Sequence, residues 1–238
     1  MAASSRGSRW RWTVAGVVAV AVLAVAGPFV YINFIKSDAP APLTAATTAP
    51  TTPATTQAGQ SASNGSIAGT YSVTSGSQAG YRVKEVLFGQ DTEAVGRTSA
   101  VTGQITVDGT RVTAGDFSVD LTTVQSDKSR RDNQFKGRIM DTATYPTATF
   151  KLAQPIELSS LPAYGATVSA KAQGQLTLHG TTRQVTVDVS AQRAAGSIRL
   201  SGQIPVRFAD WNIPNPSFGP ASTEDHGLIE FLLVLARA

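Results

Sequence analysis

Two histidines, His179 and His226, are the residues of this chain best suited to metal or general-base chemistry near neutral pH. Glu224, Asp225 and Glu230 accompany His226, so a carboxylate–imidazole site is one reading of the C-terminal region. Neither histidine falls in an HxH or HExxH spacing, and the chain has no cysteine, so the metal signature is poor. His179 lies in Leu176-Thr177-Leu178-His179-Gly180, where a ring that braces a turn is the plainer role. No serine sits in a Gly-x-Ser-x-Gly elbow, and no glycine-rich phosphate loop precedes a helix.

A second cluster, Asp127, Arg131 and Asp132, offers acid and base groups at helical spacing. Asp127 and Arg131, Lys128 and Asp132, and Asp132 and Lys136 are each four apart, the distance at which ion pairs form along one helix face. That reading makes the cluster a solvated surface, whereas a carboxylate pair for glycosyl transfer needs a separation that sequence does not fix. The spacing places the one helix between Val124 and Asp141, capped by Ser126 or Asp127 and ended by Tyr145-Pro146. Phe135, Ile139 and Met140 form its apolar stripe.

Almost everything else from Ile67 to Ala238 alternates apolar and polar residues at period two, as a half-buried strand does. Phe117, Val119 and Leu121 form one such row, and Ala148, Phe150 and Leu152 another. Longer rows run from Val168 to Leu178, from Val185 to Ala191 and from Ile198 to Phe208. Asp108-Gly109, His179-Gly180 and Ala195-Gly196 are the turn signals between rows. Many strands and one short helix mean a sandwich or a closed barrel. The buried phase includes Ala148, Ala170, Ala172, Gly174, Ala191 and Gly202. Such small residues leave voids in a sandwich core but leave room for a ligand in a barrel of about eight strands. Bulges or close strand crossings produce the same string.

The 238 residues carry a formal net charge of +4, yet Arg6, Arg9 and Arg11 form one N-terminal cluster. The remainder is nearly neutral, so a nucleic-acid surface is not indicated. Residues 1–13 form a short basic segment, and the apolar run Val14–Ile35 that follows is long enough to cross a bilayer. The arginines place the N-terminus in the cytoplasm and the later chain outside. The expectation is a single-pass cell-membrane protein with an uncleaved anchor; cleavage after Ala26, at Ala24-Val25-Ala26, is the alternative. Residues 36–66, rich in Pro, Thr, Ala and Ser, read as a disordered linker that cannot build a core of its own. Residues 67–238 are then the folded domain.

Several stretches resemble the YceI-like family. Ser126-Asp127, Arg130-Arg131-Asp132, Tyr145-Pro146 and Thr149-Phe150 look like its central motif. Gly174-Gln175-Leu176-Thr177-Leu178-His179-Gly180-Thr181-Thr182-Arg183 is similar to its hairpin signature. Phe208-Ala209-Asp210-Trp211-Asn212-Ile213 and the stretch from Glu224 to Phe231 fit its C-terminal pattern. The family usually opens with a Phe-x-Val-x-His strand, whereas Tyr81-Arg82-Val83-Lys84-Glu85 stands here.

The resemblance implies an all-β, lipocalin-like, eight-stranded antiparallel barrel with an apolar cavity for a polyisoprenoid chain, such as a polyprenyl or quinone-like lipid. The cavity residues expected from inward phase or from the helix are Phe117, Val119, Leu121, Phe135, Phe150, Leu176, Leu178 and Phe208, with Trp211 at one mouth. The reading is a binding protein with no catalytic residue, metal or cofactor, and its membrane partner is met through the N-terminal helix. The rivals are a ligand-free envelope scaffold and a hydrolase that uses His179 and nearby carboxylates.

Overall fold

The computed structural model describes residues 39–45, 67–87, 89–158, 162–194, 196–219 and 221–238. The apolar run Val14–Ile35 lies outside these residues. Among the described residues no helix is long and apolar enough to cross a membrane.

The alternating rows become strands. They are β1 (Gly69–Val73), β2 (Gln78–Leu87), β3 (Gln90–Thr98), β4 (Val101–Asp108), β5 (Arg111–Asp120) and the short β6 (Gln125–Ser126). After a helical segment come β7 (Thr147–Leu152), β8 (Ile156–Glu157), β9 (Thr167–Leu178), β10 (Thr181–Ala194), β11 (Ser197–Arg207), β12 (Ala221–Thr223) and β13 (His226–Arg237). Neighbouring strands pair antiparallel in the order β1-β4-β5-β7-β9-β10-β11-β13, and β13 returns to β1, closing a barrel of eight strands. The expected all-β barrel is therefore the fold. β2 and β3 form a flap on the same wall, because β13 pairs with β2 over Leu228–Leu232 and with β1 only over Leu235–Arg237.

Local chemistry sets the turns. His179 and Gly180 both adopt positive φ (48° and 72°) between β9 and β10, the twist a tight hairpin requires. Gly109 (φ 60°) does the same between β4 and β5. The helix is shorter than the ion-pair spacing suggests. It begins at Ser129 as α1 (Ser129–Gln134) and passes into a π-helical turn over Phe135–Ile139. Ser126 belongs to β6, and instead of capping the helix it donates its backbone N–H and its Oγ to the Asp132 carboxylate, at 2.8 and 2.6 Å. Asp127 does pair with Arg131. Asp132 is therefore held by a β-bridge residue rather than by its helical neighbours, and this ties α1 to the barrel wall.

The outer face of the wall holds a charge cluster. Ile229 and Phe231 face the interior, so Glu230 between them points outward, yet its side chain is wholly buried. Arg97 Nη2 donates to it at 2.7 Å and Arg82 Nε at 3.2 Å, and Arg82 also bonds Glu93. The cover is Pro40–Ala45. Arg82 Nη2 donates to the Pro40 carbonyl at 2.6 Å, Arg97 donates to the Ala41 carbonyl, and the Ala45 N–H donates to Ser201 Oγ at 2.8 Å. Leu43 and Ala45 are buried. Over these six residues the chain is fastened across β3, β2, β13 and β11, where composition alone reads as a free tether. A segment too poor in apolar residues to fold by itself can still dock on a wall that offers donors at the right spacing.

Breaking a buried ion pair by removing one partner costs about 3–5 kcal/mol, and here Arg97 would lose its carboxylate while Arg82 keeps Glu93. Glu230→Gln is expected to lower the unfolding free energy measured in urea by about 3 kcal/mol, near the bottom of that range, because its amide still bonds one arginine. A loss below about 1 kcal/mol, the worth of an exposed pair, would show that the cluster is solvated.

Candidate functional site

The interior is divided along the barrel axis. At the end reached by the β9–β10 turn it is solid. Leu121, Phe135, Met140, Leu178, Phe208, Trp211 and Ile213 pack there with Val83 and Val206 as one buried cluster. The π-helical turn lays the Phe135 ring on Tyr81, with centroids 5.0 Å apart and planes 15° from parallel. Trp211 is held by its backbone as well, since its carbonyl receives His179 Nδ1 at 3.2 Å, and the His179 ring also meets Tyr145 edge-on. His179 thus braces the turn and floor.

Glu85 occupies the position of the family's histidine. It is buried and pairs with Arg131 Nη2 at 3.0 Å. A carboxylate there binds the motif arginine directly, which gives this departure from the family pattern a structural role.

Beyond this floor the barrel holds a cavity, bordered by a second buried cluster of Ile67, Tyr71, Ala79, Val101, Ile105, Val107, Leu233 and Leu235. A cavity of about 180 Å³ lies among Val101, Ile105, Phe117, Val119, Phe150 and Leu176 on one side and Ala172, Val187, Val189, Ile204, Ile229 and Phe231 on the other. Along β9 its wall runs from Val168 to Leu176, about 26 Å at ~3.3 Å per residue. Among the described residues thirty line the cavity, and of these only Thr149 and Arg193 carry a polar side chain.

The expected cavity residues divide between the two zones. Phe117, Val119, Phe150 and Leu176 line the hollow part. Leu121, Phe135, Leu178, Phe208 and Trp211 lie in the packed floor below it. The small inward residues divide too. Ala148, Ala170, Ala172 and Ala191 line the cavity. Gly174 and Gly202 are close-approach positions instead, because an added Cβ would stand 2.3 Å from the Phe150 ring and 2.7 Å from the Phe231 ring. Those rings fold over the glycines, so the missing side chains are filled space. Arg193 escaped the sequence reading, although it extends the row Val185, Val187, Val189, Ala191 by one inward step.

Titratable groups do not converge in the cavity. Among the described residues no cluster of three or more His, Asp or Glu side chains is arranged to hold a metal ion. His226 is half-exposed at the start of β13, where Nδ1 meets Asp225 at 2.9 Å and Nε2 meets Glu224 at 3.2 Å. The hydrogen bond to His226 holds the Asp225 carboxyl below its usual range. The two histidines thus have separate partners, Trp211 and Tyr145 for His179 and Glu224 and Asp225 for His226.

The chain is thus an all-β protein, a closed eight-stranded antiparallel barrel with an apolar cavity and one short helix. Residues 71–235 match the YceI-like domain, and the chain belongs to that family. Its fold is similar to that of a polyisoprenoid-binding domain from Saccharophagus degradans implicated in plant cell wall breakdown. The two are 17% identical with a TM-score of 0.57, over 72% of this chain and 99% of that one. Burkholderia cenocepacia BcnA shares 22% identity with a TM-score of 0.49, over 65% of this chain and 95% of its own. A Campylobacter jejuni YceI protein shares 16% identity with a TM-score of 0.47, over 60% and 84%. No curated protein matches the chain.

Burial in the floor pushes the Tyr81 hydroxyl well above its ordinary value of 10.0, because the phenolate would have to form away from water. A raised folded-state value stabilises the fold fully below about pH 10, and this contribution is lost as pH rises toward the folded value. Urea midpoints of the unaltered protein should therefore fall more steeply between pH 9 and 11 than those of Tyr81→Phe. Parallel curves would mean that Tyr81 ionises in place.

Proposed function

We propose that this protein is a membrane-tethered, extracytoplasmic carrier that encloses one apolar chain, of polyisoprenoid type, and performs no catalysis. The observation that carries the reading is the cavity, about 180 Å³ in volume, whose described lining residues are apolar except for two. Such a surface gains about 25 cal/mol for each Å² of apolar ligand it removes from water. The family, and the fold shared with a polyisoprenoid-binding domain, support a linear lipid as the occupant. The apolar run Val14–Ile35 and the arginines before it support the anchor and its orientation.

The test is lipid content. Full-length protein purified in mild detergent should yield a prenyl-type lipid on organic extraction and mass spectrometry, and the stripped protein should take it up again. Ala172 lines the cavity opposite Val187, whereas Lys171 is exposed and pairs with Asp188 at 2.6 Å. Ala172→Trp should abolish uptake while Lys171→Ala leaves it unchanged. Overpacking can cost about 1–3 kcal/mol, so circular dichroism must show a folded variant. Undiminished uptake by folded Ala172→Trp protein, or a natural protein that neither carries nor binds lipid, would overturn the reading.

Topology has its own test. Protease added to intact spheroplasts should release the barrel by cutting between residues 46 and 66. A barrel protected until the membrane is opened would reverse the orientation.

A further inference from the structure

Large apolar side chains are rare on the outside of the barrel. Among the described residues the exposed ones are Val86, Tyr164 and Phe218, and two of the three lie at the closed end. Val86 lies beyond Val83 of the floor on β2, opposite Ser222 of β12. Phe218 stands just before β12 and is 47% exposed. Its N–H donates to the Ala221 carbonyl at 2.9 Å, and its carbonyl accepts from the Ala221 N–H at 3.1 Å, so the loop that carries the ring is a fixed turn.

The helical segment flanks this turn. Arg138 donates from Nη1 to the Asn215 carbonyl at 3.1 Å and from Nη2 to the Pro216 carbonyl at 2.9 Å. The guanidinium carbons of Arg130 and Arg138 lie 5.3 and 5.8 Å from the centroid of the Phe218 ring. From Lys128 to Ile139 the sequence holds five basic side chains and one acid, Asp132, whose carboxylate is taken by Ser126. The other acids nearby are engaged as well: Asp127 pairs with Arg131, Glu224 with His226, and Asp225 with His226 and Arg207. Among the described residues no carboxylate pairs with Arg130, Lys136 or Arg138. The closed end thus presents an aromatic ring set among uncompensated cations.

We propose that this face docks the closed end of the barrel on the anionic surface of a bilayer, with Phe218 among the lipid head groups and Arg130 and Arg138 on their phosphates. This rests on the reading that Val14–Ile35 is a membrane anchor. The strap begins at the same end, since Pro40 is bonded to Arg82, between Tyr81 and Val83 of the floor. Only residues 36–39 separate Pro40 from the apolar run, and four residues span at most about 14 Å. A tether that short keeps the cations near the surface, where anionic lipids attract them within a Debye length of ~8 Å at physiological salt. A ring bordered by guanidinium groups suits that boundary, because the ring can leave water while the charges stay with the phosphates. Two apolar side chains are too few for a stable protein partner, which needs about 800 Å² on each side, whereas a fluid bilayer needs no matching shape. The other end of the barrel, with the loop before β9, then faces away from the membrane.

The chain has no cysteine, so one introduced thiol carries a fluorophore at a unique position. Gly137→Cys reports on the patch, where an added side chain meets nothing within 4 Å, and Ala163→Cys reports on the exposed loop at the opposite end. Full-length protein is placed in nanodiscs of phosphatidylcholine, with or without phosphatidylglycerol, and quenching by lipids spin-labelled at the head group is measured. In the anionic discs the label at 137 should be quenched several-fold more than the label at 163, and high salt or the neutral discs should remove most of the difference. Phe218→Ser, at an exposed position, and Arg130→Gln combined with Arg138→Gln should each bring the 137 label down toward the 163 value. Equal quenching of the two labels, a difference that is the same in neutral discs, or one that survives both sets of changes would overturn the docking face. Shielding of the 137 label from a water-soluble quencher without quenching by the lipids would also overturn it, in favour of a second copy of the chain as the cover. Protein that fails to enter the discs at all would instead remove the anchor reading beneath the proposal.

Discussion

The ladder between β13 and β1 converts a long antiparallel sheet into a barrel, and the interior exists because that ladder closes. β13 pairs with β11 along its whole length, from Arg207–His226 to Ser197–Ala236. On its other side it must serve two strands, β2 first and then β1. The strand is apolar on its inner phase, with Leu235 wholly buried, and it also carries the buried outward Glu230. A closed sheet leaves no row of unpaired N–H and C=O groups. The flap of β2 and β3 is the remaining weak point of the wall, and the Arg82–Glu230–Arg97 cluster beneath Pro40–Ala45 fastens that part. Closure and strap are thus two solutions to the problem of holding a hollow wall together without a full core.

The hollow itself is costly. An empty space of about 180 Å³ corresponds to a penalty on the order of 4 kcal/mol at ~24 cal/mol per Å³. The packed floor offsets part of it by concentrating Phe135, Phe208, Trp211, Tyr81 and Leu178 in one cluster. An occupant that filled the tube would recover the remainder, which physically couples ligand binding to stability. This division also explains why large and small inward residues are not mixed evenly. The alanines face the tube, while the glycines sit beneath the Phe150 and Phe231 rings.

Period two made the wall legible, because a strand with one buried face must alternate and the rows from Val168 to Phe208 do so almost without a break. The same rows could not show where along the axis the interior is filled. Phe117 and Phe208 share the inward phase, yet one lines the tube and the other lies in the floor. That difference is set by the helical segment, whose π-helical turn drives Phe135 into one end only, and no strand pattern encodes it. Ion-pair spacing overstated the helix for a related reason: Asp132 finds its partners in Ser126 of β6, a contact invisible to an i,i+4 rule. Arg193 was hidden because a charge at the end of an apolar row looks like the strand's exit into solvent, whereas the loop bearing Tyr164 folds back to cover it.

The polar and ring residues of the family motifs gather at one end, while Phe150, Leu176 and Phe231 of the same motifs line the cavity. Asp127, Arg131 and Asp132 fasten the helix to β6 and to Glu85, and His179 and Trp211 lock the turn onto the floor. They build the closed end of the barrel, where the backbone must leave regular pairing and specific polar contacts decide its path. The cavity wall needs no such specification, since any small or medium apolar residue in inward phase maintains it. Residues 148, 170, 172 and 191 line the cavity and lie outside most of the motif contacts, so changes there would alter its girth without disturbing the floor. On the proposed function, selectivity resides in these positions, and a barrel of this design can exchange one lipid for another while its floor remains the same.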